Sequence, residues 1–166
     1  MIDRARLERY VTDSRRRFED LLGQMVEIPS ISMDPAKAPD IRRMAEFARQ
    51  VLTDMGADAQ IVETGGYPIV SGGLMTGVHH PTVTIYNHMD VQPAQEPEWT
   101  QAPFAFKNEN GMYHGRGATD DKGPALSALF GAKYAIEQGV PDQHSVSLGT
   151  GRGNREPAFC RRTEES

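Results

Sequence analysis

The sequence predicts an α/β fold in which helices lie around a mostly parallel sheet. Three amphipathic stretches with helical spacing are interleaved with short strand-like runs, and one strong hairpin signal stands among them. Such interleaving is typical of layered α/β domains, because each helix buries its apolar stripe on a sheet face. The length of 166 residues is enough for one ordinary domain.

Each predicted helix has a start or stop signal. The first covers residues 4–26 and should stop at Ile28, since Pro29 disfavours helical geometry in the residue before it. Asp40 is predicted to cap a second helix that ends at Gly56. The third helix spans residues 123–138. The second helix should bury Met44, Phe47, Ala48, Val51 and Leu52.

Five short strands are predicted, and the last two form a hairpin. They lie at residues 59–63, 69–74, 82–87, 104–109 and 112–114. The dipeptide Asn110-Gly111 between the last two is typical of a two-residue hairpin turn. After Val140 the character changes, and residues 143–166 are predicted to lack helical or strand periodicity.

Composition excludes several classes of function. The net charge of -5 argues against nucleic acid or an anionic membrane as partner. No stretch approaches the roughly 20 apolar residues that span a bilayer, and residues 1–17 lack the apolar core of a signal peptide. Cys160 is the single cysteine, so no internal disulfide forms. We therefore expect a cytoplasmic protein.

Two groups of residues carry candidate chemistry. His88 and Asp90 stand two apart at a strand end and therefore point to one side. Such a pair forms either a strand-end hydrogen bond or a metal-bound imidazole oriented by a carboxylate. Asp120 and Asp121 follow a glycine-rich run and precede a helix. They either cap that helix or supply a carboxylate that bridges two metal ions.

Taken together, the two groups resemble a known family. The sequence reads His88-Met89-Asp90-Val91-Gln92-Pro93, then Trp99, then Pro103-Phe104, and then Gly115 through Gly123 as Gly-Arg-Gly-Ala-Thr-Asp-Asp-Lys-Gly. This order is similar to the signature of the zinc metallopeptidase superfamily of carnosinase, aminoacylase and succinyl-diaminopimelate desuccinylase. These residues are most similar to those of the dipeptidase branch. The resemblance covers roughly residues 15–141.

The resemblance implies roles for three side chains. His88 and Asp120 would be metal ligands, Asp120 bridging two zinc ions, and Asp90 would take the catalytic role of orienting His88. The implied substrate is a dipeptide, another short peptide or an acyl amino acid, and intact relatives are expected to be homodimers. The implied reaction is amide hydrolysis by a zinc-activated water. The alternatives are an N-acyl amino acid deacylase or desuccinylase, and a non-enzymatic fragment.

The tail departs from the family pattern. Residues 1–140 are expected to be the amino-terminal part of the catalytic domain, without the lid or dimerisation domain. Residues 141–166 are expected to be an aberrant, poorly ordered tail. In the family a strand leads to a Glu-Glu pair that supplies the general base and a zinc ligand, which residues 149–156 lack. Codons for the tail can be written so that reading one base later restores such a pair. The sequence therefore predicts a frame change near Val140 and an inactive, truncated chain.

Overall fold

The architecture is three helices and two sheets. The structure is a computed structural model that describes residues 3–74, 82–139 and 143–149, the last range as backbone. The helices are α1 (Arg4–Val26), α2 (Ala38–Asp54) and α3 (Lys122–Glu137). The strands are β1 (Asp58–Val62), β2 (Ile69–Leu74), β3 (Thr82–His88), β4 (Lys107–Glu109), β5 (Met112–His114) and β6 (Gln143–Gly149). The α/β class predicted from the sequence is confirmed.

Helix α1 begins where a side chain satisfies free backbone N–H groups, whereas α2 begins without such a cap. The carboxylate of Asp3 accepts hydrogen bonds from the N–H groups of Ala5 and Arg6, at 3.0 and 3.3 Å, and starts α1. The start of α2 differs from the prediction. A 3-10 turn at Pro35–Lys37 runs directly into the helix, so Asp40 lies in the first turn of α2 instead of capping it. No helix of the described ranges is long and apolar enough to cross a membrane.

The main sheet has four strands in the order β1-β2-β6-β3. Within the described strands, β1 pairs antiparallel with β2 and β2 antiparallel with β6, whereas β6 and β3 are parallel. The expectation of a mostly parallel sheet is therefore wrong for this part of the chain. A short turn joins β1 to β2 and makes them antiparallel, and only the β3–α3–β6 unit has the long crossover that parallel strands need.

Strand β6 was not predicted. It pairs with both neighbours over Gln143–Gly149, although residues 143–166 had been expected to lack a strand pattern. The signal was present, because Val146 and Leu148 alternate with Ser145 and Ser147. The other residues of the predicted 141–166 tail lie outside the described ranges. In register, Gly149 lies opposite His88, so β3 and β6 end at the same edge of the sheet.

The predicted hairpin forms a separate two-stranded sheet. Asn110 and Gly111 both have positive φ, 54° and 78°, as a tight hairpin turn with matching twist requires. Strand β4 is shorter than predicted and begins at Lys107. Aromatic side chains hold the hairpin against α1, with the Tyr113 ring centroid 6.2 Å from that of Phe18.

One apolar core joins the three helices to the sheet. Helix α2 packs on β1 and β2, while α3 packs on β3 and on α1. The fully buried α1 side chains lie in its carboxyl-terminal turns, while Tyr10 and Phe18 pack against the core from earlier turns. The fully or almost fully buried members include Leu22, Met25, Val26, Met44, Leu52, Val70, Leu126 and Leu129.

A buried lysine ties the start of α3 to the end of α1. Lys122 is 0% exposed, and its ammonium donates hydrogen bonds to the carbonyl oxygens of Met25 and Ile28 at 2.7 and 2.8 Å. Burial lowers the pKa of Lys122 to about 7, against the opposing attraction of Asp90. Met25 lies in the last turn of α1 and Ile28 just beyond it. Each carbonyl also accepts a backbone N–H, so the ammonium is a further donor to both and holds the turn that leaves the helix.

Replacing Lys122 with methionine tests this contact. Lys122→Met keeps the length of the side chain but removes the ammonium donor from two buried carbonyls, each of which keeps a backbone N–H donor, from Ile28 and from Ser30. Each lost hydrogen bond costs about 0.5–1.5 kcal/mol. Removal of the buried charge offsets part of this cost. We expect the free energy of unfolding at pH 7 to fall by about 1–3 kcal/mol in urea titrations. Lys133→Met on the same helix removes only a partly exposed ion pair with Glu137 and should change it by less than about 1 kcal/mol.

The stabilities of the wild type and of Lys122→Met should also differ in their dependence on pH. Above pH 7 the folded chain releases the Lys122 proton while the unfolded chain retains it up to the ordinary pKa of 10.5. The unfolded state then binds more protons, so the stability of the wild type rises with pH relative to Lys122→Met. A stability difference that stays constant between pH 7 and 9 would contradict the burial of an ionisable amine here.

Candidate metal centre

Three predicted site residues meet at the carboxyl end of β3. The His88 Nε2 atom lies 3.1 Å from Oδ1 of Asp120, although the two residues are 32 positions apart. On the other side of the ring, Nδ1 lies 3.1 Å from the carbonyl oxygen of Asp90 and 3.3 Å from its Oδ1. The imidazole therefore stands between two carboxylates. Asp120 is the open member, with 83% of its side chain exposed, against 16% for Asp90.

Asp121 links the Asp120-Asp121 pair to the His88–Asp90 segment. Its Oδ2 accepts hydrogen bonds from the side-chain amide of Asn87 at 2.9 Å and from the backbone N–H of His88 at 3.1 Å. Asp121 occupies the N-cap position of α3, yet its side chain makes no capping hydrogen bond. The capping alternative is therefore wrong for the Asp121 side chain, which binds the end of β3 instead.

Glycines allow the approach of the loop before α3 to its neighbours. Gly115 and Gly117 have φ of 148° and 89°, which residues with side chains rarely adopt. A Cβ atom at Gly115 would lie 2.5 Å from Val26, and one at Gly117 would lie 2.8 Å from Val91. The two glycines thus let one loop pack against both the end of α1 and the segment that follows His88.

The loop after α1 holds the His88–Asp90 segment from behind. Ile31 and Val91 form a parallel bridge, and the N–H of Val91 donates to the carbonyl of Ser30 at 2.9 Å. The Ser30 hydroxyl donates to the carbonyl of Met89 at 2.7 Å. The Ser32 hydroxyl donates to Oδ2 of Asp90 at 2.5 Å. This stretch fixes both the backbone of the segment and the carboxylate behind His88.

Arg116 anchors the start of the same loop. Its Nη2 donates to Oε1 of Glu96 at 2.6 Å, and its guanidinium lies 5.1 Å from the ring centroid of Trp99. The Trp99 indole N–H donates to the other Glu96 oxygen at 3.0 Å. Hydrogen bonds from the Glu96 backbone N–H and from Trp99 lower the pKa of Glu96. The three side chains form a closed unit at the surface.

The charges around His88 fit a metal ion. When Nδ1 carries the ring proton and donates it to Asp90, Nε2 has only its lone pair to offer Asp120. Two acceptor atoms 3.1 Å apart then face each other. A positive centre between them makes this contact favourable, either a second proton on the ring or a metal ion. An imidazole held by a carboxylate, together with an open carboxylate, is a donor set that suits zinc.

The donor set is incomplete within the described ranges. There, no group of three or more histidine, cysteine, aspartate or glutamate side chains is arranged to hold a metal ion. His88 and Asp120 provide two donors, and Asp90 lies on the far side of the ring. The sequence had also suggested Asp121 as an additional ligand, but this carboxylate accepts from Asn87 and the His88 backbone.

Sequence reasoning named the three side chains but missed their supports. In the sequence, the Asn110-Gly111 hairpin lies between His88 and Asp120. The structure shows more direct links in Asp121, Ser32 and Lys122. Lys122 had been noted only as a member of a local pattern. Hydrogen bonds between segments so distant in sequence leave no periodicity that a single sequence reveals.

Known proteins resemble this chain in sequence and in fold. Residues 84–150 match the model of Peptidase family M20/M25/M40. The Cys-Gly metallodipeptidase dug1 of Schizosaccharomyces pombe is 34% identical over 147 residues, covering 81% of this chain and 31% of that protein. The crystal structure of human carnosine dipeptidase 1 superposes with a TM-score of 0.77 and 29% identity, covering 86% of this chain and 33% of that one.

A third relative is a deacylase by name. Succinyl-diaminopimelate desuccinylase of Xanthobacter autotrophicus is 41% identical over 87 residues, which are 52% of this chain and 22% of that protein. The resemblance inferred from the sequence is confirmed. The chain spans about a third or less of the length of these relatives.

Trp99 reports on the anchoring of the loop by Arg116. It is the only tryptophan, so intrinsic fluorescence observes this site alone. We expect Arg116→Ala to shift the emission to longer wavelength and to increase quenching by acrylamide, because the indole loses the guanidinium that covers its face. Arg42→Ala removes an exposed ion pair with Glu63 and serves as the control. An unchanged Trp99 spectrum in Arg116→Ala would show that the unit does not form.

Proposed function

The chain belongs to the M20/M25/M40 peptidase family. From this premise we propose that it is the amino-terminal part of a catalytic domain and supplies one side of a two-zinc hydrolase site. The observation that carries the proposal is the contact between His88 Nε2 and Asp120 Oδ1 beside an open sheet edge. Membership of this metallopeptidase family implies a divalent metal ion, and zinc is the ion that the donor set favours.

In this proposal each side chain has one task. His88 presents the Nε2 lone pair, Asp90 holds the ring in the required orientation, and Asp120 offers two carboxylate oxygens toward solvent. A zinc pair bound there would supply a Lewis acid for the scissile carbonyl and a water of lowered pKa. Parallel strands β3 and β6 end together at this site, as open α/β sheets place ligands outside the carboxyl ends of strands.

The substrate proposed for the whole protein is a dipeptide. The names of the relatives matched over most of this chain, a Cys-Gly metallodipeptidase and a carnosine dipeptidase, favour this class. Deacylation of N-acyl amino acids is the second candidate, favoured by the identity to the desuccinylase over 87 residues. For the whole protein, comparing kcat/KM for a dipeptide and for a succinylated amino acid separates the two.

The 166 residues alone are proposed to be inactive. Of the carboxylates that the structure brings to the site within the described ranges, Asp90 is bound to Ser32 and Asp121 to Asn87, which leaves Asp120 as a ligand and no general base. Loss of general acid–base catalysis typically costs about 10²–10⁴-fold in rate. A cytoplasmic location and a homodimer are proposed for the whole protein on the grounds of composition and family resemblance.

Zinc binding and hydrolysis test this proposal together. We expect the 166-residue chain to bind zinc weakly by calorimetry, with His88→Ala and Asp120→Asn each lowering the affinity by about tenfold or more. His114→Ala and Asp58→Asn, which alter residues of β5 and β1, should leave the affinity unchanged. We expect no hydrolysis of dipeptides or N-acyl amino acids with zinc, cobalt or manganese. Turnover that co-purifies with the chain and disappears in His88→Ala would contradict the inactivity.

We further propose that residues from about 141 onward are read in a shifted frame. Read one base later, codons for residues 148–156 can spell Trp-Glu-Gln-Asp-Glu-Glu-Ile-Gly-Ser. The Glu-Glu pair would then follow the end of β6, which lies opposite His88 at the edge where further ligands are needed.

The nucleotide sequence decides the frame. We expect the frame one base later to stay open past the codons for residues 140–166 and to encode a Glu-Glu pair followed by a histidine ligand. Stop codons or an unrelated sequence in that frame would refute the shift, while leaving the roles of His88 and Asp120 unaffected.

A further inference from the structure

The carboxylate of Asp90 is divided between two partners. Oδ1 faces Nδ1 of His88 at 3.3 Å, while Oδ2 accepts the hydroxyl hydrogen of Ser32 at 2.5 Å. The Ser32 contact joins residues 58 positions apart. It is the shorter of the two contacts, and it comes from the loop after α1. The orientation of Asp90 is therefore set from behind.

The backbone of this region is held without the Ser32 hydroxyl. The Val91 N–H bonds to the Ser30 carbonyl, and the Ser30 hydroxyl bonds to the Met89 carbonyl. Ser30 is fully buried, whereas Ser32 is half-buried at the margin of the site. Removal of the Ser32 hydroxyl should therefore leave the register of the two segments intact and release only the carboxylate.

We propose that Ser32 is a positioning residue, which locks the Asp90 carboxylate so that His88 keeps its proton on Nδ1 and its lone pair on Nε2. The terminal torsion of an aspartate is broad, so the second hydrogen bond decides which way the carboxylate plane lies. Without the hydroxyl the plane is free to turn away from the ring, toward water. The inference rests on the proposed role of His88 as a metal ligand.

The consequence is a choice between two ring tautomers. With the Asp90 carboxylate in place, Nδ1–H faces two acceptors, the Asp90 carbonyl oxygen at 3.1 Å and the charged Oδ1 at 3.3 Å. With the carboxylate turned away, Nδ1–H keeps only the neutral Asp90 carbonyl, and the Nε2–H form becomes competitive because the charged Asp120 Oδ1 lies 3.1 Å from Nε2 and accepts that proton. The Nε2–H form has no lone pair for a metal ion. Ser32 thus controls metal affinity through the position of one proton.

The test reads the tautomer directly in the metal-free 166-residue chain. Ring nitrogen NMR on protein with labelled histidine is recorded at about pH 9, where an ordinary imidazole, with a pKa of about 6.5, is neutral. We expect the Nδ1–H form of His88 in the wild type and a mixture with the Nε2–H form in Ser32→Ala. Ser32→Thr keeps a hydroxyl and should restore the wild-type pattern.

Ser30→Ala is the matched control. It removes a hydroxyl from the same loop but leaves the Ser32–Asp90 contact, so it should lower the melting temperature and leave the His88 tautomer unchanged. For zinc we expect Ser32→Ala to weaken binding about three- to tenfold, less than the roughly 10–100-fold typical of losing a direct outer partner of a metal ligand. A Ser32→Ala protein with the wild-type tautomer pattern would overturn the proposal.

The metal-ligand role of His88 and the positioning role of Ser32 are contradicted by different results. When zinc leaves the Nε2 signal of wild-type His88 unshifted, the metal-ligand role fails, and a tautomer change in Ser32→Ala still supports the positioning role. When zinc shifts that signal but Ser32→Ala alters neither tautomer nor affinity, the metal site stands and the positioning role of Ser32 is refuted.

Discussion

The buried ammonium of Lys122 is the constraint on which the rest of this structure depends. It lies one residue beyond the Asp120-Asp121 pair and binds two carbonyls at the end of α1. The loop that leaves α1 there is the loop that holds the His88–Asp90 segment through Ser30 and Ser32. A single charged group therefore fixes both halves of the candidate site to one helix end. Burial of this charge is unfavourable, and it lowers the pKa of Lys122 to about 7.

The contacts around the site form a closed circuit. Ser32 binds Asp90, Asp90 faces His88, and the His88 N–H and ring face Asp121 and Asp120, which lead directly into Lys122. The links join α1, β3 and α3, three elements that are remote in sequence. Such a circuit keeps a partly exposed imidazole in one orientation before any ion binds, which is the preorganisation that a metal site requires.

Sequence alone predicted the parts of this site that depend on local pattern. Helix α1, strand β2, the Asn110-Gly111 hairpin and the meeting of His88 with Asp120 follow from periodicity, turn chemistry or family resemblance. Whether neighbouring strands of the main sheet pair parallel or antiparallel could not be predicted, because this depends on which strands are joined by short turns and which by a long crossover. Strand β6 was missed because its strand signal is a short alternation of serine with apolar residues, and the glycines and arginines that follow it do not continue the pattern. The roles of Asp121, Ser32 and Lys122 depend on contacts across 33 to 97 positions, which no local pattern encodes.

The most direct measurement of the central claim is anomalous diffraction at the zinc absorption edge from crystals of this chain soaked in zinc. If the two groups of residues form one metal cradle, an anomalous peak lies within bonding distance of both His88 Nε2 and Asp120 Oδ1, and Asp90 stays on the Nδ1 side of the ring. A peak elsewhere on the chain, with His88 and Asp120 still in direct contact, would contradict the account.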